Sequence, residues 1–242
     1  MPAKTITATV SKIVQETPEI KTLRLEFSPE ENFDFHPGQF INLILEAGIE
    51  GKTKKIVRSY SISSSPTKKN YVEITVKKGI PGGTAEHLHN LRIGDNLSFV
   101  APFGIFYFRE GMSKNIVLIC GGSGIAPCMS MIRYITELKT STTITLIYSN
   151  KTEKDIVFYN ELKELAKINK NLKLVFTLTR EIPKDWKNRK GRISKEIIKG
   201  EIDDIHSALF FVCGPKAFIE NSIAILKSLD VEERNIIIEK WM

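Results

Sequence analysis

The fold is decided by the stretch Ile116-Val117-Leu118-Ile119-Cys120-Gly121-Gly122-Ser123-Gly124-Ile125-Ala126-Pro127. Its apolar first half is typical of a strand buried on both faces. The glycines permit a tight turn and the close approach of a ligand, and the helix predicted next would offer free N–H groups that suit a pyrophosphate. Pro127 fits the first turn of that helix but replaces the third glycine of a GxGxxG motif. The stretch therefore predicts a dinucleotide-binding loop, with a tight turn that binds no ligand as the alternative.

Downstream of this loop, strand and helix patterns alternate. Continuous apolar runs predict strands, and apolar residues at helical spacing predict helices between them. This alternation predicts a parallel sheet with helices on both faces. The predicted strands are Ile116–Cys120, Thr143–Tyr148, Leu172–Leu178, Leu209–Cys213 and Asn235–Glu239; the predicted helices are Cys128–Leu138, Phe158–Ile168 and Ala217–Leu229.

Upstream of the loop, short alternating runs are separated by turn residues. Six such runs predict a small antiparallel six-stranded β-barrel with one helical turn near Ala85–Leu91. The fold class is therefore two-domain, with a barrel over residues 1–110 and an α/β domain over residues 111–242. The predicted strands are Thr5–Val14, Ile20–Phe27, Phe40–Leu45, Ser59–Ser63, Tyr71–Val76 and Asn96–Val100.

Composition excludes several classes of protein. The 242 residues are 42% hydrophobic and 26% charged, as in ordinary globular proteins. The net charge of +7 comes from scattered lysines without a basic stripe, which argues against nucleic acid. Three cysteines without a CxxC pair predict buried thiols and no metal site. The absence of a long apolar run or signal peptide predicts a cytoplasmic protein without membrane association.

Three further motifs carry candidate chemistry. Arg58-Ser59-Tyr60-Ser61 lies on a predicted strand, where Arg58 and Tyr60 share a face and suit a phosphate attached to a planar ring. Gly82-Gly83-Thr84 precedes the helical turn and suits a phosphate, or is a plain turn. Cys213-Gly214-Pro215 ends a predicted strand at the sheet edge where ligands bind. The alternatives for the first and last motifs are a cross-strand pair and a buried structural cysteine.

In their order and spacing, these motifs resemble those of the ferredoxin–NADP reductase superfamily of flavoproteins. The resemblance spans nearly the whole chain. It includes His36-Pro37-Gly38-Gln39-Phe40, Arg58-Ser59-Tyr60-Ser61, Gly82-Gly83-Thr84, Gly94-Asp95, Ala101-Pro102-Phe103-Gly104, Gly121 to Pro127, and Cys213-Gly214-Pro215.

The resemblance implies a bound FAD and an NADPH or NADH donor whose hydride passes to flavin N5. Tyr60 would pack on the isoalloxazine ring, Ser61 would approach N5, and Arg58 would pair with the pyrophosphate. Catalytic roles fall to Ser61, Cys213 and Glu239. The implied cofactor-binding residues are Arg58, Ser59, Tyr60, Ser61, Thr75, Lys77, Gly82, Gly83, Thr84, Gly122, Ser123, Gly124, Pro127, Thr179, Arg180, Gly214, Pro215 and Trp241.

Two of these expectations concern the ends of the nucleotide and flavin sites. Trp241, near the carboxyl terminus, would cover the flavin face and move when nicotinamide stacks; a frayed tail is the alternative. Lys151 and Arg180 could bind a 2′-phosphate, which favours NADPH, or could be solvated surface charges.

The resemblance leaves the electron acceptor open. A basic tip formed by Lys52, Lys54 and Lys55 could steer an acidic ferredoxin or flavodoxin, or could be a solvated hairpin tip. The first hypothesis is a ferredoxin or flavodoxin reductase. The second is the reductase of an oxygenase, of another metalloenzyme, of free flavin or of ferric chelates. The third is an FAD-holding electron-transfer subunit that turns over little alone.

Overall fold

A computed structural model describes residues 3–31, 33–49 and 52–240, without the side chains of residues 46–49, 52–54 and 240. The first half of these residues forms an antiparallel sheet of six strands. Its strands are β1 (Lys4–Thr17), β2 (Ile20–Glu26), β3 (Phe40–Ile49), β4 (Lys52–Ser61), β5 (Tyr71–Lys77) and β6 (Asn96–Phe103), and helix α1 spans Thr84–His89.

The first sheet curls into a barrel. Its strand order is β4-β3-β6-β1-β2-β5, and a bridge between Ile62 and Ile74 joins the two edge strands. Alternate residues of each strand fill the interior, where Leu23, Leu43 and Phe99 are completely buried. The predicted antiparallel six-stranded barrel is therefore confirmed.

The second half forms a parallel sheet of six strands in the order β10-β9-β8-β7-β11-β12. These strands are β7 (Asn115–Gly121), β8 (Thr143–Asn150), β9 (Leu172–Leu178), β10 (Arg189–Lys190), β11 (Leu209–Gly214) and β12 (Ile236–Lys240). The first sheet ends at Phe103 and the second begins at Asn115, and the predicted boundary near residue 110 lies between them.

Helices cover both faces of the parallel sheet, as predicted. They are α2 (Ile125–Leu138), α3 (Tyr159–Ile168), α4 (Lys195–Glu201) and α5 (Lys216–Lys227). Helices α2 and α3 pack on the face that carries Leu118 and Cys120, and α4 and α5 pack on the face that carries Val117 and Ile119. Strand β7 is thus buried on both sides, which explains its continuous apolar run.

Several predicted elements differ in extent. Strand β4 begins at Lys52 rather than Ser59, so the basic residues predicted as a hairpin tip lie on a strand; Lys55 pairs with Glu46 in register. Helix α2 begins three residues before the predicted Cys128, at Ile125. Strand β10 and helix α4 were not predicted, and residues Pro29–Glu31 form an additional 3-10 turn beside the barrel.

Candidate functional site

A cavity of about 640 Å³ lies at the carboxyl edge of the parallel sheet. From β7 the chain runs to β8, β9 and β10 on one side, and then returns to β11 and β12 on the other. The cavity opens where this direction reverses, which is the usual place for a ligand in such sheets. Its lining includes the predicted residues Lys77, Gly122, Ser123, Lys151, Thr179 and Pro215.

The glycines of the loop serve two different purposes. Gly122 has a φ of +55° and open space where a Cβ would lie. A Cβ on Gly124 would instead lie 2.5 Å from the carbonyl oxygen of Cys213. Gly122 therefore provides room for a ligand on the cavity side, whereas Gly124 allows α2 to approach the end of β11.

Two other predicted residues of this region serve packing. A Cβ on Gly214 would lie 2.8 Å from the ring of Phe218, so the absence of a side chain lets α5 pack here. Pro127 is buried in the first turn of α2, as predicted. Gly124, Pro127, Arg180 and Gly214 are not among the residues that line the cavity.

A buried asparagine lies in the wall of the same cavity. Asn150, the last residue of β8, is 5% exposed; its side-chain amide interacts with the side chain of Tyr148 but forms no hydrogen bond of normal geometry within the described part of the chain. Buried polar groups are almost always paired. Asn150 lines the cavity, and both atoms of its amide are buried in the cavity wall.

Cys213 and Glu239 are register partners at the carboxyl ends of β11 and β12. Cys213 is completely buried in the core beneath α2. Burial raises the pKa of Glu239 to about 7, so this carboxyl group titrates near neutral pH. The structure thus brings two of the three predicted catalytic residues side by side, and their catalytic roles stay predictions.

The Arg58–Ser61 motif occupies the end of β4. Arg58 lies opposite Leu43 and Tyr60 lies opposite Ile41, so both share one face of the strand, as predicted. The guanidinium of Arg58 is exposed, and within the described residues its Nη1 donates a hydrogen bond only to the neighbouring carbonyl of Val57. This positive group is therefore free to pair with an anion.

The remaining two residues of that motif lie on the other face of β4. Ser59 is exposed and donates a hydrogen bond from its hydroxyl to Oδ1 of Asn42 at 2.7 Å. Ser61, the third residue predicted to be catalytic, is buried at the carboxyl end of the strand and lies opposite Phe40.

The glycine turn at α1 lies beside this motif. The hydroxyl of Tyr60 shares a hydrogen bond with the side chain of Thr84, and burial raises the pKa of Tyr60. Gly82 has a φ of +74°, and its N–H donates to a carboxylate oxygen of Glu86 at 2.6 Å. A carboxylate therefore occupies the backbone donor that was predicted to bind a phosphate, and Gly83 precedes α1 as its N-cap.

Strand β5 places its two predicted residues differently. Thr75 is buried and donates a hydrogen bond to the hydroxyl of Ser63 at 3.2 Å. Lys77 forms an ion pair with Glu19 at 3.6 Å and lines the cavity at the parallel sheet. Lys77, the last residue of barrel strand β5, thus contributes to a cavity that lies mainly at the parallel sheet.

Trp241 and the side chains of Lys52 and Lys54 lie outside the described residues. Arg180 is exposed, and its N–H donates to the carbonyl of Lys151. Asn150, Asp155, Arg192 and Asn221 line the cavity and were not predicted. The position of Asn150 at the end of a predicted strand was the one signal available for it.

Two properties of the described part of the chain bear on other functions. Within residues 3–31, 33–49 and 52–240, no helix is both long enough and apolar enough to cross a membrane. Over the same residues, no group of three or more histidine, cysteine or acidic side chains is arranged to hold a metal ion.

Each half of the chain matches a known domain family. Residues 7–108 match the oxidoreductase FAD-binding domain, and residues 118–223 match the oxidoreductase NAD-binding domain. An NADH-cytochrome b5 reductase 1 from Dictyostelium discoideum is 30% identical over 82% of this chain and 68% of its own length. The chain belongs to the ferredoxin–NADP reductase superfamily. Its two matched halves are thus an FAD-binding and an NAD-binding domain of the oxidoreductase type.

Other relatives extend this picture. The glycine betaine monooxygenase reductase subunit of Chromohalobacter salexigens is 30% identical over 90% of this chain, which spans 59% of that relative's length. The crystal structure of a ferredoxin NADP⁺ reductase from Neisseria gonorrhoeae with bound FAD and NADP has a TM-score of 0.80. The two sequences are 22% identical, and the structural match covers 98% of this chain and 99% of the other. This similarity shows that the two chains share a fold.

Proposed function

We propose that the chain receives electrons from NAD(P)H and delivers them to a separate acidic electron-transfer protein such as ferredoxin or flavodoxin. FAD, when bound, accepts two electrons from a nicotinamide and releases them singly. The observation that carries the proposal is the cavity at the sheet reversal, which is lined by the glycine loop, with open space at Gly122, and by the ends of the neighbouring strands.

The residues beside the barrel fit FAD. Arg58 would hold its pyrophosphate and Tyr60 would pack on its ring system, while Ser59 and Ser61 flank them on the strand. Gly82, Gly83 and Thr84 would supply phosphate contacts. The hydrogen bond from the N–H of Gly82 to the carboxylate of Glu86 supports this assignment, because this N–H already donates to an anionic oxygen. Thr75 and Lys77 complete the site on the neighbouring strand.

The residues of the parallel sheet fit a nicotinamide dinucleotide. Gly122 and Ser123 would offer backbone N–H groups to the pyrophosphate, with Gly214 and Pro215 on the facing strand end. Thr179, Lys151 and Arg180 lie toward the neighbouring strands β8 and β9. Asn150 would give its amide to the nucleotide. Cys213 and Glu239 would border the reacting atoms, where a carboxyl group that titrates near pH 7 can hold a proton.

The acceptor lies outside these residues. Three cysteines are fewer than the four thiolates that a plant-type [2Fe–2S] cluster needs, so these 242 residues do not supply a cluster of that type. The exposed part of β4 is basic and partly apolar, because Arg58 is exposed on one face while Lys55 is exposed and Val57 is 53% exposed on the other. Together with the net charge of +7, this surface suits an acidic partner.

The test begins with an anaerobic titration of the purified protein by NADPH and NADH in parallel, followed by flavin absorbance. Rapid bleaching by either nucleotide supports the donor half of the proposal. Unbleached flavin with both nucleotides contradicts it and favours an electron-transfer subunit that turns over little alone.

Acceptor choice is tested next with ferredoxin and flavodoxin at increasing salt. We expect the rate of electron transfer to these proteins to fall as the salt concentration rises, and to be lower still in Lys55→Glu. Lys170→Glu, which makes the same charge change at an exposed position after α3, is the matched control. Equal rates in both variants would contradict docking at β4.

A second acceptor class is favoured by the relatives. Their printed names are those of a monooxygenase reductase subunit and of NADH-cytochrome b5 reductases. The same assay with cytochrome b5 and with an oxygenase component distinguishes this class from ferredoxin and flavodoxin. A free-flavin or ferric reductase would instead reduce small acceptors without any protein partner.

A further inference from the structure

One face of α2 is docked along a segment of the barrel domain. Ser130 donates a hydrogen bond from its hydroxyl to the carbonyl of Ser64 at 2.6 Å. Two turns later, Glu137 accepts a hydrogen bond from the hydroxyl of Thr67 and pairs with Lys68 at 3.1 Å. The helix that starts at the nucleotide loop is therefore fixed to residues 64–68, which follow β4 in the barrel.

Arg133 is the centre of this face, and its side chain is only 13% exposed. Its Nη1 donates to the carbonyl of Ser63 and to Oε2 of Glu73, both at 2.8 Å. Its Nε and Nη2 donate to the two carboxylate oxygens of Glu161 at 2.7 and 2.8 Å. One guanidinium thus joins the segment after β4, strand β5 and helix α3.

The arrangement needs an arginine. A guanidinium is a rigid planar fork that donates in several directions at once, whereas a lysine ammonium is a single charge on a flexible stem. Burial alone would lower the pKa of Arg133, but hydrogen bonds and charge from Glu161 and Glu73 raise it. The group is therefore a permanent cation whose Nη1 donates across the domain boundary while its Nε and Nη2 are held by Glu161 of its own domain.

The two segments that form this contact are each adjacent in the chain to one of the two proposed cofactor sites. Helix α2 begins at Ile125, one residue after Gly124 of the nucleotide loop. Ser63 lies two residues after Ser61 of the flavin motif. The hydrogen bonds of Arg133 therefore fix the nucleotide loop relative to the strand that would carry the flavin.

We propose that Arg133 is a positioning residue that sets the spacing between the nucleotide loop at Gly121–Gly124 and the flavin motif at Arg58–Ser61. The inference rests on the proposed sites for FAD and the nucleotide. Hydride transfer requires reacting atoms about 3–3.5 Å apart, and a misplacement of about 1 Å can cost about 100-fold in rate. Arg133 touches neither site and acts through α2 and the segment after β4.

The test compares Arg133→Lys with Arg24→Gln in the FAD-loaded protein. Arg24 also binds Glu73, at 2.8 Å, but this pair lies entirely within the barrel and is the matched control. We expect Arg133→Lys to slow flavin reduction at saturating nucleotide by about 10- to 100-fold. FAD content and nucleotide Kd should stay within about threefold of the wild type, because the direct contacts are untouched.

Hydrogen exchange provides a readout independent of activity. Residues 63–68 and 121–130 should exchange faster in Arg133→Lys and at the wild-type rate in Arg24→Gln. Ser130→Ala, which removes only the neighbouring contact to Ser64, should give a smaller change of the same kind. Ser130→Ala therefore tests the same domain contact if Arg133→Lys folds poorly.

The outcomes distinguish the proposed function of the chain from the positioning role of Arg133. Wild-type flavin that neither nucleotide reduces would contradict the proposed function, while the exchange data would still report on the domain contact. Normal flavin reduction in Arg133→Lys, or an equal loss of rate in Arg24→Gln, would overturn the positioning role. A loss of rate that merely follows FAD loss would overturn it as well.

Discussion

Gly124 lies so close to Cys213 that a Cβ on the glycine would be 2.5 Å from the cysteine carbonyl oxygen. Gly122 of the same loop, with φ of +55°, has open space where its Cβ would lie. Two glycines of one loop are therefore required for different reasons. Gly124 permits packing of α2 against β11, and Gly122 permits a left-handed turn at the edge of the cavity.

We expect Gly124→Ala to destabilise the protein more than Gly122→Ala. Overpacking against backbone costs about 1–3 kcal/mol, which corresponds to roughly 2–4 °C in Tm for each kcal/mol in a protein of this size. Gly122→Ala should instead weaken nucleotide binding most, because its methyl group enters the cavity side. Thermal unfolding and nucleotide titration of both variants check this, and a larger Tm loss in Gly122→Ala would contradict it.

The barrel and the parallel sheet could be predicted because each rests on local patterns. Alternation in strands such as Lys4–Thr17 and the continuous apolar run at Asn115–Gly121 report burial directly from the chain. The unpredicted elements are short. Helix α4 has seven residues and β10 has two, too few for periodicity to show.

The candidate site could be predicted only in part. Motif glycines were visible as motifs, but the sequence could not distinguish Gly124, which packs, from Gly122, which faces the cavity. Arg133 was missed because its partners Ser63 and Glu73 lie 70 and 60 residues away along the chain. Arg192 was missed because a loop arginine has no pattern that relates it to a cavity formed by other elements.

FAD retention tests the phosphate contacts beside the barrel. Arg58→Ala should release FAD during purification, because a charged hydrogen bond contributes about 1.5–3 kcal/mol, or roughly 10- to 100-fold in Kd. Glu86→Gln should retain FAD more tightly, because it removes the carboxylate that competes for the N–H of Gly82. The flavin-to-protein absorbance ratio after gel filtration measures both effects.

The control for these variants is Arg109→Ala, which removes an exposed arginine on the segment between the two sheets. It should keep the wild-type content of FAD. Full retention of FAD in Arg58→Ala would refute the assignment of the motif. Weaker retention in Glu86→Gln would mean that the carboxylate holds the turn in its binding conformation.

Stability should depend on pH through Glu239. Burial raises its pKa from 4.5 to about 7 in the folded protein. Between about pH 4.5 and pH 7 the unfolded chain has lost this proton while the folded chain keeps it, so the unfolded state binds fewer protons. The contribution of Glu239 to the free energy of unfolding therefore falls as pH rises through this window, and is constant above it.

Glu239→Gln should remove that fall. We expect the Tm of the wild type to decrease relative to the Tm of Glu239→Gln as the pH rises from about 5 to about 8. Thermal unfolding of both proteins is measured at intervals of about one pH unit. Glu196→Gln, at an exposed carboxylate on α4, should follow the wild-type profile. Parallel profiles for the wild type and Glu239→Gln would show that this carboxyl group has no raised pKa in the folded protein.

Nucleotide preference should respond to charge on the cavity wall. Arg192 and Asp155 both line the cavity, and Oδ2 of Asp155 accepts hydrogen bonds from the N–H and hydroxyl of Thr152. NADPH carries an additional phosphate, so a positive wall favours it over NADH and a negative wall disfavours it. Arg192→Gln should therefore lower the ratio of kcat/KM for NADPH to that for NADH.

Asp155→Asn should raise the same ratio, because it removes a negative charge and keeps an oxygen for Thr152. Each change should be about 3- to 30-fold, as expected for about 0.7–2 kcal/mol of electrostatic interaction at a partly exposed site. Lys170→Gln, remote from the cavity lining, controls for the change in net charge. If both cavity variants move the ratio in the same direction, the effect is structural and the wall does not select the nucleotide by charge.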